Sequence, residues 1–298
     1  MLLLRSEAVP LTAADRIQAR SLLSKLGVTA TNEDLVARTG EAIIALSQRA
    51  AQISGPAPLP AVALPPELAA VNAASSNTKV RELLFAADLA TSFQERLDVL
   101  EGRRASRVAA LTVARDLAEV AAEVPAAGAA IARLREFESQ RTLLDTIDGI
   151  SPVVQELAEA LRDAYNESFS AYTAQRTAVL TDLEADSTWQ TIDPSLRSTL
   201  LARHGLEEPV NATLSDPPRV LAALRARNCR EWGEARLALS ARVEGALSEA
   251  RKVSEPQAAE VRLPRPTVRT EAEVDTYLDA VRATLLSALE NAPAVVIR

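Results

Sequence analysis

Aromatic residues make up 3% of this 298-residue chain, which also has nine glycines, one cysteine and one histidine. Each scarcity excludes something. A single cysteine, Cys229, rules out an intrachain disulfide and fits a reducing compartment. The one histidine, His204, would need partners to build a triad or a His-ligated metal site, and the nearest candidates are Glu207 and Glu208. Its predicted place is the last turn of a helix, where an imidazolium complements the C-terminal dipole. None of the nine glycines is followed by lysine, so there is no G-x-x-x-x-G-K-[ST] loop to cradle phosphates. No dinucleotide-binding fingerprint occurs either. No apolar run approaches the ~18 residues of a membrane span, and "MLLLRSEAVP" is too short for a signal peptide core. The expectation is a soluble cytoplasmic chain without membrane contact, with no catalytic residue, cofactor or metal assigned.

What is there favours helix. The apolar fraction is mostly Ala, Leu and Val, suited to helices that pack closely through small side chains. Three of the 33 basic residues are lysines (Lys25, Lys79 and Lys252); the rest are arginines, an imbalance that points to a GC-rich genome more than to arginine-specific chemistry. The net charge of −7 argues against a whole-molecule polyanion binder.

Thr12 with Asp15 predicts an N-cap for a helix over Ala13–Leu26 that closes at Gly27, and a second helix runs from about Glu33 to Ile53. The stretch "GPAPLPAVALPPE" then reads as an extended linker or strap and as a domain boundary. Proline-free sequence from Thr78 to Val124 predicts a long amphipathic helix, with "EGRRASR" at 101–107 as a bend or hairpin tip. After Pro125 a further helix reaches about Ile147. Ser151-Pro152, Asp193-Pro194 and Asp216-Pro217 each place a capping side chain before a proline, where its missing N–H costs nothing. The last of them opens a long helix through Trp232 to about Val253. The expected class is mainly α: long antiparallel helices, as a bundle or coiled-coil arm, with a small C-terminal β-α-β element. The expected segments are 1–55, a linker at 56–77, a long-helix region at 78–258 and a closing module at 259–298.

Three features hold candidate chemistry. Cys229 sits in "RARNCREW", where Arg225, Arg227 and Arg230 would lower a thiol pKa. With no base nearby in sequence it reads as a small half-buried residue. Asp145 and Asp148 would share a helix face, and without further ligands they read as a solvated helix end. The stretch from Arg219 to Arg269 carries eleven basic residues against six acidic ones. Its arginines, Arg225, Arg227, Arg230, Arg262 and Arg265 among them, are candidates for contact with an anionic partner or nucleic acid. Glutamates at helical spacing and a lone aromatic, Trp232, favour a salt-bridged solvent face.

The last forty residues differ in kind. In "VRLPRPTVRTEAEVDTYLDAVRATLLSALENAPAVVIR", Val261–Leu263 and Val295–Ile297 are β-prone and flank a helix opened by a Thr270/Glu273 capping box. This order predicts a βαβ unit. Two strands alone are unstable in water, so they need the helix and either another strand or a neighbouring surface, which "PAVAL" at 60–64 or another polypeptide could supply. The order VRLP, T-E-x-E-V-D, helix, P-x-V-V-I resembles the C-terminal ending of the large P-loop proteins of BREX phage-exclusion systems, which include the phage-growth-limitation ATPase. The resemblance implies a detached C-terminal segment of such an ATPase, with Met1 not necessarily the biological start. Its implied partners are the N-terminal ATPase portion and other phage-defence components. Lacking a Walker motif, the chain inherits no ATP-binding residue and is read as a non-catalytic scaffold open to self-association. The alternatives are a nucleic-acid-associated module using the 219–269 stretch, or a free-standing coiled-coil protein.

Overall fold

The computed structural model describes residues 10–254, 259–263, 266–292 and 295–297. It is mainly α, and its two short strands lie in the closing segment. The chain divides into two compact units. The first comprises residues 1–165 and 213–228, the second residues 166–212 and 229–298. These units do not follow the expected segments, because the chain leaves the first unit within a helix and returns to it for sixteen residues.

In the first unit, α1 (Ala13–Lys25) starts as expected: Thr12 Oγ1 accepts from Asp15 N, and Asp15 Oδ2 accepts from Thr12 N. It ends at Gly27, whose φ of +79° suits a residue without a Cβ. Helix α2 (Leu35–Ile53) buries Leu35, Ile43, Leu46 and Ile53 on one face. The proline-rich stretch is a strap rather than a boundary, and its end is helical: Pro66 opens α3 (Pro66–Ala73) at a position that tolerates proline. Ser54 Oγ, which accepts from Val62 N at 2.8 Å, ties the strap to the end of α2. Helices α2, α3 and α4 (Ser76–Phe85) pack together, with Leu68, Val71, Val80 and Leu83 fully buried.

The predicted long helix is present, but its break is misplaced. A kink falls at Ala86, and α5 (Ala87–Val120) runs unbroken through 101–107. Nothing there is a hairpin tip; the interruption of the apolar stripe is Arg107, which is buried and turned inward. A 3-10 turn at Pro125–Ala127 leads into α6 (Gly128–Ser139), which stops eight residues short of the expected end at Ile147. Helix α7 (Ile150–Ala185) is capped by Asp148, which accepts from the amides of Ile150 and Ser151. Ser151 itself therefore lies inside the helix. Residues of α7 up to Tyr165 complete the first core, with Leu157 and Leu161 fully buried. Helix α10 (Pro217–Ala226), capped by Asp216, packs on α5 and buries Val220 and Leu224.

In the second unit, the C-terminal half of α7 is followed by α8 (Ser187–Thr191) and α9 (Pro194–Arg203), capped by Asp186 and Asp193. Helix α9 ends at His204 and Gly205 (φ +61°), as the sequence predicts. The long helix expected through Trp232 is three helices. Helix α10 gives way to α11 (Cys229–Leu237) across an extended Arg227, and α12 (Leu239–Ser254) follows a one-residue turn at Ala238. Asn228, a favoured N-cap type, stands at the first break. Trp232 sits edge-on to Phe169 (5.2 Å between centroids) and tilted against Tyr172 (5.1 Å).

The closing segment forms β1 (Ala259–Val261), α13 (Glu271–Asn291) and β2 (Val295–Ile297). The strands pair in parallel, Ala259 with Val295 and Val261 with Ile297, as a βαβ unit requires. The first strand lies two residues earlier than expected, and the 60–64 stretch adds no strand to this sheet, which has two among the described residues.

Candidate functional site

The basic stretch is divided between the two units. Arg225 and Arg227 belong to the first unit, Arg230 and Arg262 to the second, and Arg265 lies outside the described residues. Arg225 on α10 places Nη2 3.3 Å from Asp116 of α5, and Arg230 pairs with Glu234 one turn on at 2.9 Å. Arg219 and Arg251 likewise stand 3.4 Å from Asp216 and 3.7 Å from Asp186. Trp232, the aromatic available for base stacking, is 3% exposed. Arg262 is exposed immediately after β1.

Cys229 is half-buried on α11, and burial pushes its thiol up, with Glu167 adding to the rise and a hydrogen bond with Ser168 offsetting part of it. The neighbouring arginines therefore do not activate it. His204 Nε2 lies 3.4 Å from Glu249 Oε1, an ion-pair distance that lacks hydrogen-bond geometry, while Arg203 holds the other carboxylate oxygen at 2.8 Å. The His204 side chain is half-buried and packs beside Gly245, at the C-terminal end of α9. No group of three His, Cys, Asp or Glu residues among those described could hold a metal ion. No described helix is long and apolar enough to cross a membrane.

Sequence reasoning missed the most organised polar site in the first unit. The segment 140–149, expected to be helix as far as about Ile147, is a loop gathered around Arg107. Its Nη1 donates to the carbonyl oxygens of Leu143 (3.0 Å), Asp145 (3.1 Å) and Ile147 (3.3 Å), and its Nε stands 3.5 Å from Asp148. Arg103 reaches Leu144 O from one turn away, and Arg141 ties the loop to the proline-rich strap at Gly55 O and Leu59 O. Asp145 and Asp148 therefore share no helix face. Burial pushes the Asp148 carboxyl up, but the Ser151 amide and hydroxyl, the Arg107 guanidinium and the Ile150 amide together hold it below the usual carboxylate range. The loop and α5 enclose a groove of about 870 Å³ lined by Arg96, Val99, Arg103, Phe137 and Ile147. The sequence signal was the arginine interrupting an apolar stripe at 107.

The closing module is built differently from everything before it. Thr270 Oγ1 accepts from Glu273 N at 3.3 Å, while the Glu273 carboxylate reaches the amide of Arg269, one residue before the cap. None of its described side chains is fully buried. Tyr277, Val281, Leu285 and Ala288 are half-buried, whereas Val274, Leu278, Leu286 and Leu289 are 38–55% exposed, as are Val296 and Ile297 of β2. A parallel sheet is ordinarily covered on both faces, and this one is not. Compared with known proteins, the chain matches no protein family, no curated protein and no solved structure.

Proposed function

We propose that the chain is a non-catalytic helical scaffold that assembles with partners through its closing βαβ module, in the manner of the C-terminal part of a BREX-type phage-resistance P-loop protein. One observation carries the assembly role: α13 leaves Val274, Leu278, Leu286 and Leu289 exposed, and the parallel sheet leaves Val296 and Ile297 exposed. Exposed apolar area of this kind marks an interaction site. The defence setting rests on the residue order VRLP, T-E-x-E-V-D and P-x-V-V-I in that same module. The proposed partner is the N-terminal P-loop portion of the parent protein, which would supply the ATP chemistry for which this sequence has no Walker loop.

The nucleic-acid reading remains the alternative, and it is less favoured here because Arg219, Arg225 and Arg230 face carboxylates at 2.9–3.4 Å. The test is co-purification of the full chain with a recombinant P-loop portion, alongside an ATPase assay of each alone. Co-purification, with turnover confined to the P-loop portion, is the expected result. ATP turnover by the purified chain alone, or failure to co-purify, contradicts the proposal.

A further inference from the structure

The exposed side of α13 carries information about what covers it. At 100° per residue, Val274, Leu278, Leu285 and Leu289 follow one line along the helix, and between Val274 and Leu289 that line is about 22 Å long at the usual helical rise. On one flank lie Tyr277, Val281 and Ala288, all half-buried. On the other flank Glu271, Asp275 and Asp279 succeed one another at four-residue intervals, all exposed, and Arg282 and Leu286 continue that flank towards the C-terminal end. The helix as a whole holds five carboxylates and one arginine, Arg282.

We infer that this stripe receives an amphipathic helix of about four turns from another protein, with an apolar seam bordered by lysine or arginine. This rests on the assembly role proposed above and names the chemistry of its partner. The length of the stripe suits a helix laid along it, and ridges of i, i+4 side chains accept a second helix in this way. Charge selects the occupant. A second copy of α13 would bring the same acidic row against the seam, and like charges at a docking surface are costly. A basic flank instead pairs with Glu271, Asp275 and Asp279 at the rim, where the gain goes mainly into specificity and association rate.

The experiment uses the full chain and two synthetic 18-residue helical peptides that share a leucine seam, one flanked by lysines and the other by glutamates. Binding is read by fluorescence anisotropy at low and moderate salt, with circular dichroism to confirm that each variant is folded. The lysine-flanked peptide binds at least ten-fold tighter than the glutamate-flanked one, and its affinity falls as salt rises. The double variant Leu278→Asp/Leu289→Asp weakens that binding at least ten-fold. The variant Asp275→Lys/Asp279→Lys reverses the preference between the two peptides. Equal binding of the two peptides overturns the inference. So does a lysine-peptide affinity unchanged by Asp275→Lys/Asp279→Lys, which would reduce the effect to the chain's overall negative charge. A concentration-dependent dimer abolished by Leu278→Asp would make a second copy the occupant and overturn it as well. Co-purification with the P-loop portion that persists after such a failure leaves the assembly role standing and removes only the basic helix.

Discussion

Arg107 makes three contacts with carbonyl oxygens from a single buried guanidinium, and it is not alone in this use. Arg162 donates to Leu214 O, Arg176 to Leu206 O, Arg197 to Ile192 O, and Arg242 to Gly205 O. A planar fork with five N–H donors can serve several carbonyls of an irregular segment, which an ammonium on a flexible stem does poorly. The preponderance of arginine over lysine therefore has a structural use here that base composition alone does not supply. Arg107→Lys is expected to cost about 1–3 kcal/mol, since it leaves enclosed carbonyls without donors. The loss should be measurable by urea denaturation, with faster tryptic cleavage after Arg141 as the 140–149 loop loosens. Asp148 adds a pH dependence. Its folded carboxyl titrates below the ordinary aspartate value of about 4, so its stabilisation is fully present above that value and disappears as pH falls through the folded one. Wild type should exceed Asp148→Asn in stability at neutral pH, by no more than about 1 kcal/mol for a partly exposed cap. The difference should close as pH falls below the ordinary aspartate range; a difference that stays constant in acid would show that the carboxylate charge is not involved.

At the scale of elements, starts were legible in the sequence and continuity was not. Thr12, Asp193 and Asp216 cap as their side chains and following residues predict, because a cap is a local bargain between one oxygen and one or two amides. Breaks within apolar, proline-free runs depend on tertiary packing and leave little local trace. Ala86 and Ala238 are good helix formers at which the chain kinks, while Gly102 passes unnoticed within α5. The loop at 140–149 was missed because its cause, Arg107, lies more than thirty residues away. Leucines at helical spacing also look alike in sequence whether or not something covers them. Leu157 of α7 is fully buried and Leu278 of α13 is 55% exposed. Leu157→Ala should cost about 2–5 kcal/mol, through lost burial and the cavity left behind. Leu278→Ala should stay within about 0.5 kcal/mol in the isolated chain. Chemical denaturation of the two variants side by side checks the pair, and a large loss at Leu278 would mean that the stripe is already covered.

Across the whole chain, the described fold separates two kinds of structure. Residues 10–254 have large apolar side chains that are mostly enclosed, and many of their arginines serve nearby loops and carboxylates. The closing module encloses almost nothing, although its cap, its helix and its parallel strands are well formed. Its βαβ order was legible because strand propensity, a capping pair and a breaking proline are local signals. That its sheet has two strands among the described residues was not, since the 60–64 stretch has the composition of a strand and is used as a strap instead. The central claim is that this module is completed by a partner. Hydrogen exchange of the full chain, alone and with the P-loop portion, tests it most directly. The account predicts rapid exchange in β1, β2 and α13 of the free chain, slowed at least ten-fold in the mixture, with α2 and α5 unchanged. Slow exchange of the module in the free chain would contradict it, as would protection that appears only between Arg219 and Arg251.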